Sequence, residues 1–179
     1  WAVGIPGTLG GAIYMNAGTG NLSLAKNLIS VKVINNKTHK KIEIEKKDLN
    51  FDYRFSSFQR NDLTIISVKM HFEPNGNPEQ LIQKTKNNLK FKTQTQPYHQ
   101  PSFGSVFKNP KNYYAAKLID DMGLKGFKIG GAEISKMHAN FIINNSSASS
   151  KDILELITLI QQKVLQKKGI YLHPEVRMI

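Results

Sequence analysis

The chain has 179 residues, 40% of them hydrophobic, and no cysteine. This composition is typical of a folded globular protein and argues against intrinsic disorder. No apolar run approaches the roughly 20 residues that span a bilayer, so we expect no membrane segment. Without cysteine there are no disulfides and no thiolate chemistry, which agrees with a cytoplasmic protein.

The chain is strongly basic, with 25 Lys and Arg against 13 Asp and Glu and a net charge of +12. Such a charge indicates either a polyanionic partner, with nucleic acid as the first candidate, or a compositional preference for solvated lysine. The lysines are scattered along the chain, which favours the second explanation and leaves a field that attracts anionic small molecules such as nucleotides. Arginine occurs only at Arg54, Arg60 and Arg177. Since lysine is the default cation here, arginine indicates a position that needs a planar, permanently charged fork.

The first half begins with a glycine-rich segment, with glycines at positions 4, 7, 10, 11, 18 and 20. Residues 29–35 and 40–45 alternate apolar and polar side chains around a polar turn, which predicts a β-hairpin. Residues 63–72 predict a further strand. A helix is expected over 77–90, because its Asn-Pro-Glu start supplies a cap, a first-turn proline and a first-turn acid.

The second half is expected to follow a polar, proline-containing connection over 92–101. Its clearest helix is predicted over 151–168, with a capping box at Ser149 and a closing glycine at Gly169. Shorter elements are predicted as a helix over 113–122 and strands over 138–144, 171–172 and 176–179. Hairpins with segregated helices indicate an α+β fold. We expect two domains, over 1–95 and 96–179.

Residues 4–11 bring turns so close together that successive backbone N–H groups could face an anion. Gly10 and Gly11 precede an apolar run, Ala12–Met15, that could continue as a helix with its N-terminus towards a phosphate. The other interpretation is a tight turn between core elements. A dinucleotide-binding fingerprint is excluded, since no strand precedes the glycines and no acid follows at the required spacing.

Residues 102–110 form the most informative polar segment of the second half. Gly104 leaves room beside Ser105, and Lys108 and Asn109 add a cation and an amide before a proline, a combination that suits an anion pocket. The segment lacks the second glycine of a nucleophile elbow. In the first half, Arg54 stands beside aromatic residues and a hydroxyl, where a salt bridge at a strand end is the simpler interpretation.

The five histidines show no metal-ligand spacing, so we expect no metal site. His138 precedes a predicted strand, where a structural histidine is the common case. Glu175 is an acid in a nearly terminal apolar segment, and either a binding partner or a surface pair with Arg177 would explain it.

Taken together, these motifs resemble the UDP-N-acetylenolpyruvoylglucosamine reductase family, and the similarity covers nearly the whole chain. The most specific are Pro101-Ser102-x-Gly104-Ser105-Val106-Phe107-Lys108-Asn109-Pro110 and Pro174-Glu175-Val176-Arg177. The others, in the same order as in the family, are Gly4–Gly11 with Met15-Asn16-Ala17-Gly18, Tyr53-Arg54-x-Ser56, Gln96-Pro97, Lys117-Leu118-Ile119, Gly123-Leu124-Lys125-Gly126 and His138-Ala139-Asn140-Phe141.

The resemblance implies a flavoenzyme that takes hydride from NADPH through FAD and delivers it to the double bond of UDP-N-acetylglucosamine enolpyruvate. It implies catalytic roles for Arg54 and Glu175, which would stabilise developing charge, and for Ser105, which would donate a proton. The positions that match the family's FAD cradle are Gly7, Gly10, Gly11, Asn16 and Gly18. Those that match its nucleotide-sugar site are Tyr53, Lys108, Asn109 and His138.

The resemblance also implies a preceding FAD-binding domain with its own pyrophosphate loop, which this sequence lacks. Residues 1–95 would then be the remaining part of a FAD-binding region and residues 96–179 the substrate-binding domain. Two alternatives stay open: a non-catalytic segment that binds UDP-sugar without flavin, and a basic nucleic-acid-binding module. We expect no nucleic-acid partner.

Overall fold

The computed structural model describes residues 1–74 and 76–177 and divides into two compact units, Trp1–Leu89 and Lys90–Ile179. Both units combine helices with small sheets, and every strand pairing in the described ranges is antiparallel. The predicted α+β class is confirmed. Within the described ranges, no helix is long and apolar enough to cross a membrane.

The first unit is built around a three-stranded sheet in the order β4-β3-β7. Its elements are α1 (Leu9–Tyr14), β1 (Gly18–Thr19), β2 (Leu22–Ser23), β3 (Leu28–Asn35), β4 (Lys41–Glu45), β5 (Phe51–Asp52), β6 (Phe55–Ser56) and β7 (Leu63–Met70). The predicted hairpin corresponds to β3 and β4, whose register pairs Val31 with Ile44 and Val33 with Ile42. Val31 and Val33 are fully buried, so the alternation that predicted the hairpin also fixes which face packs inward.

The core of the first unit is small. Ile13 of α1 and Phe58, which lies in a 3₁₀ turn after β6, pack with Leu28, Val31 and Val33 of β3. This cluster joins the helix that follows the glycine-rich segment to the sheet. The position of that segment therefore depends on the burial of Ile13.

A long helix, α2 (Pro78–Thr95), follows β7. It begins where the Asn-Pro-Glu signal predicts, and the backbone N–H of Gln80 donates to the Asn77 side chain at 3.1 Å. It runs five residues beyond the predicted end, because the lysine, threonine and glutamine after Lys90 are compatible with a helix and Pro97 is the first strong stop. The predicted polar connection over 92–101 is correspondingly shorter.

The second unit contains a four-stranded sheet in the order β8-β11-β10-β9. Its elements are β8 (Ser102–Ser105), α3 (Ala115–Asp120), β9 (Lys128–Ile129), β10 (Ala132–Ile134), β11 (Phe141–Asn144) and α4 (Ser150–Lys168). Gly130 and Gly131 form the turn between β9 and β10. A Cβ at Gly131 would overlap the backbone of Ser146 and Ala148, so this glycine is required by close packing.

The helix α4 starts and ends as predicted. The Ser149 hydroxyl accepts from the N–H of Asp152 at 3.1 Å, and the Asp152 carboxylate accepts from the N–H of Ser149 at 2.9 Å, which completes a capping box. Gly169 ends the helix with φ 67° and donates to Leu165 O. The inner face of α4, with Leu156, Ile160 and Val164, packs into a larger core than that of the first unit.

Four element predictions in the second unit need correction. The helix predicted over 113–122 is confined to α3, since Asn109 and Tyr114 already shape its start and Gly123, at φ 69°, follows its end. The strand predicted over 138–144 begins at Phe141, because residues 138–141 form a turn in which the N–H of Phe141 donates to His138 O at 3.0 Å. The strands predicted over 171–172 and 176–179 are replaced, in the part that lies within 171–177, by one bridge between Phe107 and Pro174. Met178 and Ile179 lie outside the described residues.

Candidate functional site

The glycine-rich segment is an exposed loop that leads into α1. Gly7 has φ 110°, and a Cβ there would meet no atom within 4 Å, so the turn needs glycine for its conformation and leaves its backbone open. Thr8 caps α1, since its hydroxyl accepts from the N–H of Gly11 at 3.1 Å and its carbonyl accepts from the N–H of Ala12 at 3.0 Å. The hypothesis that these amides face an anion is therefore limited to donors other than those of Gly11 and Ala12.

Gly10 lies inside α1, over the sheet. A Cβ at Gly10 would lie 3.6 Å from Ile65, and one at Gly11 would lie 3.4 Å from the Thr8 hydroxyl, both within or near ordinary contact. Neither position has a positive φ. The chain's own packing therefore gives only a weak reason for glycine at these two positions.

Asn16 is buried in the first unit and adopts φ 45° immediately after α1. Its amide nitrogen donates to Asp52 O at 2.9 Å, and its amide oxygen accepts from the N–H of Ala25 at 3.3 Å. The side chain thus joins three segments of the unit. Asn16, predicted to bind the cofactor, has a bracing function that is visible without any ligand.

Gly18 begins the short hairpin of β1 and β2. A Cβ at this position would overlap the carbonyl oxygen of Leu22, so the hairpin excludes any side chain. The carbonyl of Gly18 accepts from the Arg54 guanidinium at 3.0 Å. Two of the residues that the sequence singled out are therefore in direct contact.

Arg54 adopts a left-handed backbone conformation, with φ 54°, between β5 and β6. A non-glycine residue in this region is strained, and such residues cluster at functional sites. Its guanidinium carbon lies 5.1 Å from the centre of the half-exposed Tyr53 ring, a cation–π arrangement. The side chains of Arg54 and Tyr53 are therefore in contact.

Gln59 supports Arg54, although the sequence did not single it out. Its amide nitrogen lies 3.2 Å from Arg54 O and 2.9 Å from Tyr14 O, at the end of α1. The fully buried Ser56 hydroxyl donates to the same Tyr14 carbonyl at 2.7 Å. These bonds attach the strained Arg54 turn to α1, and the separation of about forty residues left no local signal of them.

In the second unit, Ser105 is the last residue of β8 and pairs with Phe141 of β11. Gly104 precedes it with φ 82°, a conformation that favours glycine and turns the chain just before the serine. The next residue, Val106, lies between the Asn140 and Glu175 segments. The N–H of Val106 donates to Asn140 O at 2.9 Å on one side, and Val106 O accepts from the N–H of Glu175 at 2.7 Å on the other.

The same backbone bonds bring the segment of Glu175 beside the segment of Ser105 and Lys108. The N–H of Lys108 donates to His173 O at 2.9 Å, and Phe107 bridges to Pro174. The segment from 105 to 108 therefore runs beside the segment from 173 to 175. The structure therefore brings Glu175 close to the segment of Ser105 and Lys108, although about seventy positions separate them in the sequence.

Asn109 caps α3, since its side-chain oxygen accepts from the N–H of Ala115 at 2.9 Å. The side-chain oxygen of Asn109, a residue predicted to bind substrate, therefore has a structural role. The exposed Asn109 also has interactions beyond this bond.

His138 is partly buried, and its Nδ1 accepts from the N–H of Asn140 at 3.3 Å. Burial first, and the positive charge of Lys125 second, lower the pKa of His138 from its ordinary value of 6.5. The imidazole is therefore neutral at pH 7, with its proton on Nε2, which makes it a hydrogen-bond donor rather than a cation.

Comparisons with known proteins show which proteins the chain is similar to. Residues 96–179 match the family model described as UDP-N-acetylenolpyruvoylglucosamine reductase, C-terminal domain. Curated proteins named UDP-N-acetylenolpyruvoylglucosamine reductase match the whole chain, with 73% identity in Prochlorococcus marinus subsp. pastoris and 46% in a Synechococcus strain. The crystal structure of UDP-N-acetylenolpyruvylglucosamine reductase from Thermus caldophilus is 33% identical, with a TM-score of 0.79 over 98% of this chain.

Residues 96–179 belong to the C-terminal domain family of UDP-N-acetylenolpyruvoylglucosamine reductases, and the whole chain is similar to these reductases, as the resemblance of its motifs predicted. It spans 60% of the length of the Prochlorococcus and Synechococcus relatives and 61% of the Thermus chain.

Proposed function

We propose that the chain is the part of a UDP-N-acetylenolpyruvoylglucosamine reductase that binds the enolpyruvyl substrate and forms part of the flavin site. The observation that carries the proposal is the pair of backbone bonds that join Val106 and Lys108, next to Ser105, to the segment of Glu175, together with 73% identity to a named reductase over all 179 residues. A cytoplasmic location belongs to the same proposal, because NADPH and nucleotide sugars are cytoplasmic metabolites.

The residues of the first unit fit a flavin in part. The loop around Gly7 has open backbone, and Gly11 leaves an exposed position of α1 without a side chain. FAD, when bound, would carry hydride from NADPH. In this proposal Gly7, Gly10, Gly11 and Gly18 contact the cofactor directly, while Asn16 holds the backbone that forms its wall.

Reduction of the enolpyruvyl group adds hydride to the terminal methylene carbon and a proton to the α-carbon. Between these events negative charge spreads over the α-carbon and the carboxylate, so a fixed cation lowers the barrier. We assign this role to Arg54, whose strained backbone and contact with Gly18 O pre-orient the guanidinium. Glu175 is proposed to assist at the same stage.

Ser105 is proposed to donate the proton to the α-carbon. Its backbone is held on both sides, through β11 and through the neighbouring Val106, which fixes the point from which its hydroxyl extends. Lys108 is proposed to contact the nucleotide diphosphate as a cation, and Tyr53, Asn109 and neutral His138 to contact the sugar and base through their polar atoms.

The test uses a hybrid reductase, in which these 179 residues replace the aligned segment of the Prochlorococcus marinus relative. In the hybrid, Ser105→Ala should leave flavin reduction by NADPH almost unchanged. Reoxidation by the enolpyruvyl substrate should slow by roughly 10²–10⁴-fold, the usual contribution of a positioned acid. Stopped-flow absorbance follows the two half-reactions separately.

Ser102→Ala is the matched control, since Ser102 is an exposed serine at the start of the same strand. It should leave both half-reactions within about twofold of the unmutated hybrid. If Ser105→Ala slows both half-reactions together, Ser105 only shapes the pocket and its proposed role is wrong.

A second candidate function is binding of UDP-sugar without catalysis, and the presence of Lys108, Asn109 and His138 in one compact unit favours it. Isothermal titration of the 179-residue chain with UDP-N-acetylglucosamine distinguishes the two. Binding by the chain together with an inactive hybrid would support the binding function and contradict the reductase.

A further inference from the structure

Asn140 makes three hydrogen bonds to the two residues after Ser105, whereas a residue in an antiparallel strand makes at most two to one neighbouring strand. It is 4% exposed. Its side-chain oxygen accepts from the N–H of Phe107 at 3.0 Å, and its side-chain nitrogen donates to the carbonyl of the same residue at 2.9 Å. Its own carbonyl accepts from the N–H of Val106 at 2.9 Å. Three bonds from one residue therefore hold the two residues after Ser105.

The reason for this arrangement lies in the sheet. Strand β11 begins at Phe141, which pairs with Ser105, so the ladder between β8 and β11 offers Phe107 no backbone partner. The Asn140 amide supplies the missing donor and acceptor and thereby extends the ladder beyond the end of the strand. On its opposite side the same segment is bonded to the N–H of Glu175.

Asn140 also fixes His138. Its N–H donates to His138 Nδ1, which sets the imidazole tautomer. One buried residue thus connects to Ser105 through Val106 and Phe107, to Glu175 through Val106, and to His138 directly.

We propose that Asn140 is a positioning residue for proton donation by Ser105, an inference that rests on the proposed function. It holds the backbone beyond Ser105 between β11 and the Glu175 segment, so that the serine hydroxyl meets the α-carbon of the substrate. Its amide acts as both donor and acceptor, and both capacities are required.

The first test measures amide hydrogen exchange in the 179-residue chain and needs no flavin. Asn140→Ala should lower the protection of the Phe107 amide by about tenfold or more, the contribution of one or two hydrogen bonds. Asn145→Ala is the matched control, because Asn145 lies just beyond the other end of β11 and its side chain bonds only Glu133 among the described contacts. It should leave Phe107 protection unchanged, and an equal loss in both variants would overturn the proposal.

Asn140→Asp separates the amide's two capacities. An ionised carboxylate can accept from Phe107 N–H but cannot donate to Phe107 O, whereas a protonated carboxyl can do both. The Phe107 protection factor of this variant, relative to the unmutated chain, should therefore rise as the pH falls from 8 to 3, a range that includes the ordinary titration of an aspartate. A ratio that does not change with pH would show that the donor to Phe107 O is dispensable.

The second test uses the hybrid reductase. Asn140→Ala should slow reoxidation by the enolpyruvyl substrate by about 10–100-fold, as expected for a displaced catalytic group, with flavin reduction by NADPH within about twofold. Asn145→Ala should change neither step. Normal reoxidation despite lost Phe107 protection would overturn the catalytic part of the proposal.

An unmutated hybrid that reduces no substrate would refute the proposed function. This outcome is recognised before any change at Asn140.

Discussion

Arg54 combines a strained backbone with a directed guanidinium. Lysine is abundant in this chain, so the presence of arginine at this position points to the fork geometry, which lysine cannot reproduce. In the hybrid reductase, Arg54→Lys should therefore lower kcat by at least about tenfold. Steady-state NADPH oxidation with the enolpyruvyl substrate measures the change.

Arg60→Lys is the control for Arg54. Arg60 stacks on the Phe55 ring, with its guanidinium carbon 4.8 Å from the ring centre, and is more exposed. Lysine retains part of such a cation–π contact, so kcat should change less than about twofold. Equal, small losses in the two variants would show that Arg54 is structural.

The neutral state of His138 predicts a pH dependence of stability. Because the folded pKa lies below 6.5, the unfolded chain binds more protons than the folded chain between the folded pKa and 6.5. The free energy of unfolding should therefore fall as the pH is lowered through this window. Urea denaturation of the 179-residue chain between pH 8 and pH 5 measures this slope.

His138→Asn should flatten that slope, because asparagine can accept from Asn140 N–H and does not titrate. His39→Asn is the control, since His39 is exposed and its φ of 56° suits asparagine. The slope should be preserved in this variant. If both variants keep the slope, the pH dependence comes from other groups.

At the scale of elements, the N-terminus of α4 is joined to the β9–β10 turn by Asp152. Its carboxylate accepts from the N–H groups of Ser149 and Gly131, and these bonds, Ser149 first, lower the pKa of Asp152. The stabilisation should be present above the ordinary value of 3.8 and lost as the pH falls through the folded pKa. Asp152 thus acts on two elements at once.

Ser149→Ala should destabilise the chain by about 1 kcal/mol, the usual effect of losing an N-cap. Asp152→Ala should destabilise it more, since it removes the bond to the turn as well as half of the capping box. Chemical denaturation at pH 7 measures both. A smaller effect of Asp152→Ala than of Ser149→Ala would show that the bond to Gly131 contributes nothing.

Elements with local signals could be predicted from the sequence, and contacts made over distance could not. The α4 caps, the β3–β4 hairpin and the start of α2 depend on residues within a few positions of one another. The left-handed conformation of Arg54 and the Gln59 bonds to α1 depend on tertiary contacts that no local pattern records. Asn140 was noticed only as part of a motif, since its partners lie 33 residues away.

At the scale of the whole molecule, we expect the number of backbone donors available to the flavin pyrophosphate to limit the affinity for FAD. A flavin pyrophosphate needs N–H donors on both sides of its cleft, and the chain spans 60% of the length of its named relatives. We predict that the 179-residue chain alone binds FAD weakly or not at all. Absorbance near 450 nm after gel filtration is the measurement, and stoichiometric retained flavin would contradict the prediction.

The hybrid reductase is the control for this measurement, since it restores the remaining length of the relative. It should retain flavin through the same column. If neither protein retains flavin, the residues of the glycine-rich segment do not form the proposed wall.

The long helix α2 has a consequence for handling the protein. None of its described side chains is buried, and it carries lysines at positions 84, 86, 90 and 92. A helix held by few tertiary contacts opens at low free-energy cost, which lets a protease bind the extended backbone it requires. Brief digestion with trypsin should therefore cut first within α2, before the lysines of α4, and leave a carboxy-terminal piece that begins between residues 85 and 93.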